Sequence, residues 1–357
     1  MYGSTYRELR ITPATVSWRM LRELRGSPPG CAGRGERRET FGAALEQAEQ
    51  LLTAAGQVGP QSRPLLVFYG LSQGARAIAA ASTAAGQDEW RLTGHGIRAQ
   101  GLETAGRSLA GVIVQDHGGT GAFTTVARLL GAGSLPDAVP LGRLWRLIPD
   151  VDRFPLPDAH GSPPLAVSRL GDALLDLPWA EASVEVDVGP LPAALAAGPV
   201  SGETDWQVGL RDWPGERAAL RAYLGAYPGL SGFQFHSAEG NPVGFTGDER
   251  GLSAPIILPA PAVGAYLDDL TGRTVALRGE RFAFPALRPG DAAQHPFTVW
   301  WAVTYALSML ARYQPREWAA LVQVDRSPDA VALEHLLGEA LTVLPELLHR
   351  TITQATR

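Results

Sequence analysis

The chain has 357 residues, of which 45% are apolar and 19% are charged. This composition is typical of a globular protein and excludes a disordered or fibrous chain, and the length suffices for one large domain or two ordinary ones. The formal net charge of −5 supplies no basic field for phosphates, so nucleic acid is not an expected partner unless the basic residues are clustered.

All 31 basic residues are arginines, because the chain contains no lysine. A lysine is required to hold pyridoxal phosphate as a Schiff base and to reach the β- and γ-phosphates in a P-loop. A protein kinase also needs the lysine of its third strand. The sequence therefore excludes these three classes, and it predicts no cofactor.

Cysteine content and hydropathy bear on the compartment. Cys31 is the only cysteine, which excludes an internal disulfide and a cysteine-based zinc site. Residues 1–20 lack the continuous apolar segment of a signal peptide. The longest apolar-rich run, residues 297–311, is too short and too polar to span a membrane. The sequence therefore predicts a cytoplasmic protein with no membrane partner.

The first 150 residues show mainly helical periodicity. Apolar spacing predicts helices over residues 14–25 and from Glu39 to Ala55, and a third helix begins at Pro64, a residue favoured in the first helical turn. After Gly86 the pattern changes, and residues 91–97 and 109–115 indicate a short β-hairpin. Helical spacing then returns, and it predicts helices over residues 123–130 and 141–148.

A proline-rich segment over residues 154–164 is the best candidate for a domain boundary. Beyond it, the valines of residues 183–188 alternate strictly and predict a strand, residues 216–227 predict a helix, and residues 232–236 predict another strand. From Pro296 the chain is helical again. We therefore predict three regions: helical residues 1–153 with the hairpin, mixed residues 154–292, and helical residues 293–357.

These elements predict an α+β fold that is predominantly helical. The strand–helix–strand rhythm of the middle region is typical of a smaller mixed insert between two helical ends. The helix from Pro64 and the helix from Pro296 are apolar nearly all round, so each needs to be covered by a neighbour. We expect these two helices to pack against each other.

Two segments far apart in the chain resemble one known family. The first is PLLVFYG at Pro64–Gly70, continuing to Arg76 and to GHG at Gly94–Gly96, and the second runs from His295 to Trp318. Together they resemble the YaaC-like proteins, a bacterial family. The resemblance implies a soluble bacterial protein whose Pro64 segment is one continuous helix, and it carries over no catalytic residue.

Residues Gly70–Gly74 have the sequence GLSQG, which has the form of a nucleophile elbow with Ser72 as the candidate catalytic nucleophile. An elbow joins a strand to a helix, whereas the preceding residues have helical spacing. On the helical interpretation, which the family resemblance supports, Gly70 and Gly74 let a neighbouring helix approach closely. The sequence favours the helix and keeps a serine hydrolase as an alternative function.

Four polar residues lie in or beside apolar segments that carry the resemblance: Arg76, His95, His295 and Arg312. A buried guanidinium is costly unless it is paired or hydrogen-bonded. Two arginines that share a pocket could bind phosphate or carboxylate through paired hydrogen bonds. The sequence thus indicates a binding or regulatory protein with an arginine-lined pocket for a small anion or nucleotide. The alternative is that each arginine only ties helix ends and loops together.

Metal and nuclease chemistry have less support. The histidines show no metal-binding spacing, and Asp116–His117 before two glycines is typical of a turn at a strand end, so no metal site is predicted. A helical RNase or toxin-like protein would place Arg and His a few residues apart on one helix. Arg288 and His295 have such a separation, but Pro289 and Gly290 predict a loop between them.

Overall fold

The computed structural model describes residues 12–357 except 120, 136, 170–182, 197–212, 238–240, 242, 249–250 and 260–265. The described residues form an α+β structure that is predominantly helical, as the sequence predicts. They divide into two compact units. One contains residues 12–163 and 294–357 and is called the helical unit here, and the other contains residues 164–293 and is called the sheet unit.

The first part of the helical unit, up to residue 163, contains five helices and a small three-stranded sheet. Its elements up to residue 163 are α1 (Ala14–Gly26), α2 (Gly35–Ala55), α3 (Arg63–Ala81), β1 (Ile97–Gln100), β2 (Ile113–Asp116), α4 (Ala122–Leu129), β3 (Val139–Pro140) and α5 (Leu141–Trp145). The three strands form an antiparallel sheet in the order β1–β2–β3.

The sheet unit contains the middle of the chain. Its elements are β4 (Leu165–Arg169), β5 (Ser183–Leu191), α6 (Trp213–Leu224), β6 (Gln234–Phe235), β7 (Thr246–Asp248), β8 (Gly251–Pro259), α7 (Tyr266–Arg273), β9 (Val275–Leu277) and β10 (Glu280–Ala283). Their antiparallel order is β6–β8–β5–β4–β10–β9, and β7 also pairs with β8. The alternating valines of β5 are buried with Ile256 of β8 and Leu220 of α6, so the period of two reflects one buried face.

The chain then returns to the helical unit with α8 (Pro296–Tyr313), α9 (Pro315–Leu321) and α10 (Ala330–Ala355). Every residue of α8 from Pro296 to Leu310 is buried. A helix that is apolar all round becomes the centre of a core because no face of it suits water. Even so, none of the helices that the structure describes has both the length and the hydropathy of a membrane span.

Helices α3 and α8 pack against each other, which confirms the prediction for the two ends of the chain. The rings of Phe68 in α3 and Tyr305 in α8 meet edge to face, with centroids 5.3 Å apart. Gly70 and Gly74 allow other helices to approach α3. A Cβ on Gly70 would lie 2.8 Å from the Leu52 side chain in α2, and one on Gly74 would lie 2.9 Å from Leu348 in α10.

In the small sheet, strands β1 and β2 both begin later in the chain than the sequence predicts. The segment 91–97 was expected to be extended, but β1 begins only at Ile97, because Gly94 and Gly96 have φ values of 60° and 70° that no strand accommodates. The second strand begins at Ile113 and not at Leu109. The residues before it form a 3₁₀ turn, which the Ser108 hydroxyl caps by accepting a hydrogen bond from the Gly111 N–H.

Candidate functional site

Arg76 connects helix α3 to the loop that precedes β1. Its side chain is half-buried, and its Nη1 donates a 2.8 Å hydrogen bond to the carbonyl oxygen of Leu92. Leu92 lies three residues before His95, so this bond fixes the loop against the helix and brings the guanidinium close to the histidine. Arg76 therefore has a structural role in addition to its charge.

Two glycine-containing segments meet next to His95. The His95 carbonyl accepts a 3.0 Å hydrogen bond from the Phe123 N–H in the first turn of α4, and the Gly96 carbonyl accepts a 3.1 Å bond from the His117 N–H. Gly121 has a φ of 98°, and a Cβ there would lie only 2.4 Å from the Gly96 Cα. The two backbones are in contact, so a side chain at this point would force them apart.

Asp116 holds the second of these segments in place. Its buried carboxylate accepts 2.9 Å hydrogen bonds from the backbone N–H groups of Gly118 and Leu135. This confirms the prediction that Asp116–His117 form a turn at a strand end. Within the described ranges, no group of three or more histidine, cysteine, aspartate or glutamate side chains could hold a metal ion. We call His117, Gly118, Gly119 and Gly121 the glycine turn.

A pocket of about 460 Å³ opens where the glycine turn, the His95 loop and helix α8 meet. Its lining residues are Thr93, Gly94, His95, Gly96, Ile97, His117, Gly121 and Tyr305. Tyr305 is only 7% exposed, and its ring lies 6.1 Å from that of His95. The described residues provide no hydrogen-bond partner for its hydroxyl. Burial raises the pKa of Tyr305, and Tyr313 adds to this effect, so the hydroxyl stays protonated at neutral pH.

Arg312 lies in the last turn of α8 and is exposed, which corrects the expectation that it is embedded in an apolar helix. The helix leaves the core after Leu310, so the guanidinium reaches solvent. Its Nη1 lies 3.4 Å from the Tyr69 hydroxyl, and its guanidinium carbon lies 5.1 Å from the centre of the Tyr313 ring. In the part of the chain that the structure describes, no carboxylate forms an ion pair with Arg312 or Arg76.

Burial lowers the pKa of His95, and the positive charges of Arg312 and Arg76 lower it further. Both guanidinium groups thus act on the same imidazole, so the structure brings three of the four predicted residues together. At neutral pH His95 is uncharged, and the local charge comes from the two arginines.

His295 lies elsewhere, which corrects the expectation that all four residues converge on one pocket. It is the N-cap of α8, and its position is separated from Arg312 by about 25 Å along the helix axis. Its Nδ1 accepts a 3.1 Å hydrogen bond from the Phe297 N–H, and its Nε2 lies 3.2 Å from Oε1 of Gln354. These contacts fit the neutral imidazole with the proton on Nε2. Burial lowers its pKa to about 4.

The two other functions suggested by the sequence lack their required geometry. Ser72 lies in the middle of α3, so no strand-to-helix turn presents it as a nucleophile, and the helical interpretation of GLSQG is confirmed. Arg288 and His295 lie between β10 and α8, and the Arg288 side chain pairs with Asp291 within a turn. The Arg–His spacing on one helix that the nuclease alternative requires is therefore absent at this pair.

Sequence reasoning missed Tyr305, Asp116 and Gly121 as parts of the site. Tyr305 has the same helical spacing as Trp301, and nothing in the sequence distinguishes a tyrosine at a pocket from a tryptophan in the core. Asp116 was attributed to a turn and Gly121 was not singled out, and the signal that could have located them is the glycine-rich sequence between β2 and α4. The structure adds that this turn contacts the His95 loop.

One comparison with known proteins gives a match. The family model described as YaaC-like protein matches residues 28–179 and 264–352, which together make up more than half of the chain. All residues of the pocket described above, together with Arg76 and Arg312, fall in these two ranges. Residues 180–263, which the family model does not match, lie in the sheet unit. No curated protein and no solved structure matches the chain significantly.

Proposed function

This chain belongs to the YaaC-like protein family, and from the geometry of its helical unit we propose that it is a binding or regulatory protein that holds a small anion at the pocket beside His95. Arg76 and Arg312 supply the positive charge, and His95 and Tyr305 line the site. The anion is a phosphate, a carboxylate or a nucleotide carrying such a group.

One observation carries this proposal: Arg76 is bonded to the loop that contains His95, Arg312 lies beside Tyr69 at the end of α8, and neither arginine forms an ion pair with a described carboxylate. A buried arginine is usually paired with a negative charge, and Arg76 is half-buried. Here Arg76 donates to a carbonyl oxygen, and Arg312 reaches a tyrosine hydroxyl. Both partners are neutral, so a bound anion would supply the missing charge.

The properties of arginine also fit the proposal. A guanidinium presents several donors in a planar fork, which can form two parallel hydrogen bonds to a carboxylate or a phosphate. Such a site needs no lysine, and the chain has none. The volume of about 460 Å³ lies within the roughly 300–1,000 Å³ that is usual for small-molecule sites.

Isothermal titration with inorganic phosphate and acetate at pH 7 tests the proposal. Arg312→Ala should weaken the binding of both anions about tenfold, because a charge-assisted hydrogen bond is lost. Arg316→Ala is the matched control, because Arg316 is 93% exposed, lies in the next helix and removes the same charge. We expect this control to bind like the unchanged protein.

Two results would overturn the proposal. One is that neither anion binds to the unchanged protein. The other is that Arg312→Ala and Arg316→Ala weaken binding equally, since general electrostatic attraction to a surface would then explain the data without a site.

A further inference from the structure

We propose that the pocket binds the phosphate group of a phosphomonoester, and that the Tyr305 hydroxyl and the N–H groups of Gly119 and Gly121 in the glycine turn donate hydrogen bonds to its oxygens. This inference rests on the proposed anion site and goes further by assigning the chemical class of the ligand. It also assigns roles to Tyr305 and the glycine turn, which the arginine argument does not use.

The hydroxyl of Tyr305 is the first reason. The side chain is more than nine-tenths buried, it lines the pocket, and the described residues offer its hydroxyl no partner. The hydroxyl itself borders the pocket, so it is presented to whatever fills the pocket. The ring is fixed by edge-on contact with Phe68, so the hydroxyl cannot turn away to find another partner without disturbing the core. A ligand in the pocket would therefore meet this donor directly, without competition from a described protein acceptor.

The start of helix α4 is the second reason. This helix has eight residues, and its N-cap is Gly121, which lines the same pocket as Tyr305. A helix N-terminus carries partial positive charge and backbone N–H groups without intrahelical partners, and both favour a phosphate. The Phe123 N–H already donates to the His95 carbonyl, so the donors proposed here are the N–H groups of Gly121 and Ala122. The chain here runs from strand β2 through the glycine turn into helix α4. Other turns that join a strand to a helix bind phosphate groups through backbone N–H groups at the start of the helix.

The glycines keep this backbone accessible. Gly118, Gly119 and Gly121 have φ values of 67°, 92° and 98°, which side-chain-bearing residues rarely adopt. The N–H groups of His117 and Gly118 are bonded within the protein, so Gly119 and Gly121 are the donors of this turn that a ligand could use. At Gly118 and Gly119 no atom lies within 4 Å of the place that a Cβ would take, so the backbone there is bordered by open space.

The arrangement favours a phosphate over a carboxylate. Donors border the pocket on two sides, Tyr305 from α8 and the glycine turn at the start of α4, and the positive charge of Arg312 acts on His95 in the pocket lining. A phosphate monoester has three terminal oxygens arranged around a tetrahedral centre, whereas a carboxylate has two oxygens in one plane. The pocket is also larger than a free phosphate ion requires, which leaves room for the organic group of an ester.

The test compares two probes that share one aromatic ring, phenyl phosphate and benzoate, by isothermal titration. The variant is Tyr305→Phe, which removes only the hydroxyl and retains the ring contacts with Phe68 and His95. We expect phenyl phosphate to bind about tenfold more weakly to this variant, the usual effect of losing a hydrogen bond to a charged group. Benzoate should bind equally to both proteins. Tyr313→Phe, at a 58% exposed position of the same helix, is the control and should change neither affinity.

A second variant tests the glycine turn without altering Tyr305. Gly119→Ala places a Cβ in open space but strains the backbone at a φ of 92°, so it should disturb the turn and weaken phenyl phosphate binding. Gly101→Ala is its control, because Gly101 also has a positive φ of 74°, lies after β1 and outside the glycine turn, and has no atom closer than 3.6 Å to the added Cβ.

The outcomes separate this inference from the proposed function. If both probes bind equally to the unchanged protein and to Tyr305→Phe, and both depend on Arg312, the anion site stands and the phosphate inference is wrong. If neither probe binds, the proposed function and this inference are both wrong. A selective loss of phenyl phosphate binding in Tyr305→Phe and Gly119→Ala supports the inference.

Discussion

Polar residues toward the two ends of helix α8 differ in burial and in hydrogen bonding. At the N-terminal end, His295 is buried, and both of its ring nitrogens have hydrogen-bond partners in the protein. Toward the C-terminal end, Arg312 is exposed and contacts only the neutral Tyr69 hydroxyl and the Tyr313 ring, while the hydroxyl of Tyr305 has no partner among the described residues. One helix therefore carries a completed polar network at its start and an incomplete one toward its end.

The difference distinguishes stabilisation from binding. A polar group whose hydrogen bonds are satisfied inside the protein gains nothing from a ligand, and its removal leaves buried partners unpaired. A polar group that lines a pocket without a partner contributes little to folding and can contribute to binding. The N-terminal end of α8 should thus govern stability, and the C-terminal end should govern ligand affinity.

The largest effect is expected from His295→Ala. This change removes the N-cap acceptor for the buried Phe297 N–H and creates a cavity, whereas the exposed Gln354 can bond to water instead. Together these losses should lower the free energy of unfolding by roughly 4 kcal/mol in urea titrations. His295→Asn should recover part of the loss, since asparagine is a strong N-cap residue. A change below about 1 kcal/mol in the alanine variant would contradict the structural role of His295.

A smaller effect should follow from acidification. Burial lowers the pKa of His295 to about 4, whereas the unfolded chain has an ordinary value near 6.5. The unfolded state therefore binds the proton first, and the stability that the neutral imidazole confers is complete above pH 6.5 and is lost as the pH falls toward 4. The expected loss is about 3 kcal/mol over this range.

Urea titrations at several pH values measure this loss. Burial also lowers the pKa of His95 and of His349, so these two residues contribute in the same direction. The difference between the unchanged protein and His295→Asn isolates the contribution of His295. Identical pH profiles for the two proteins would show that His295 remains able to take up a proton in the folded state.

Sequence patterns predicted the helices of this unit well. Pro64 and Pro296 mark the first turns of α3 and α8, and continuous apolar spacing predicted both the helices and their mutual packing. The pair Gly70 and Gly74 was correctly attributed to close helix packing. These features depend on local chemistry and on a helical period, which a single sequence displays directly.

The contrast between the ends of α8 was not predictable in the same way. His95 and His295 both lie in segments that carry the family resemblance, and only the burial of His295 against Gln354 of α10 separates their roles. Arg312 follows a long run of buried residues in the sequence, so its exposure depends on where the helix leaves the core. Burial and long-range partners are properties of tertiary packing, which periodicity does not encode.

Of these changes, Arg312→Ala should have the smallest effect on the free energy of unfolding. It tests the C-terminal end of α8, as His295→Ala tests the N-terminal end. The guanidinium is exposed, forms no ion pair with a described carboxylate and makes one long contact with Tyr69. Surface changes of this kind usually alter the free energy of unfolding by no more than about 0.5 kcal/mol. Urea titration of Arg312→Ala beside His295→Ala and Arg316→Ala measures the contrast directly. If Arg312→Ala destabilises the protein as much as His295→Ala does, Arg312 belongs to the folded core, and its proposed role in anion binding loses its physical basis.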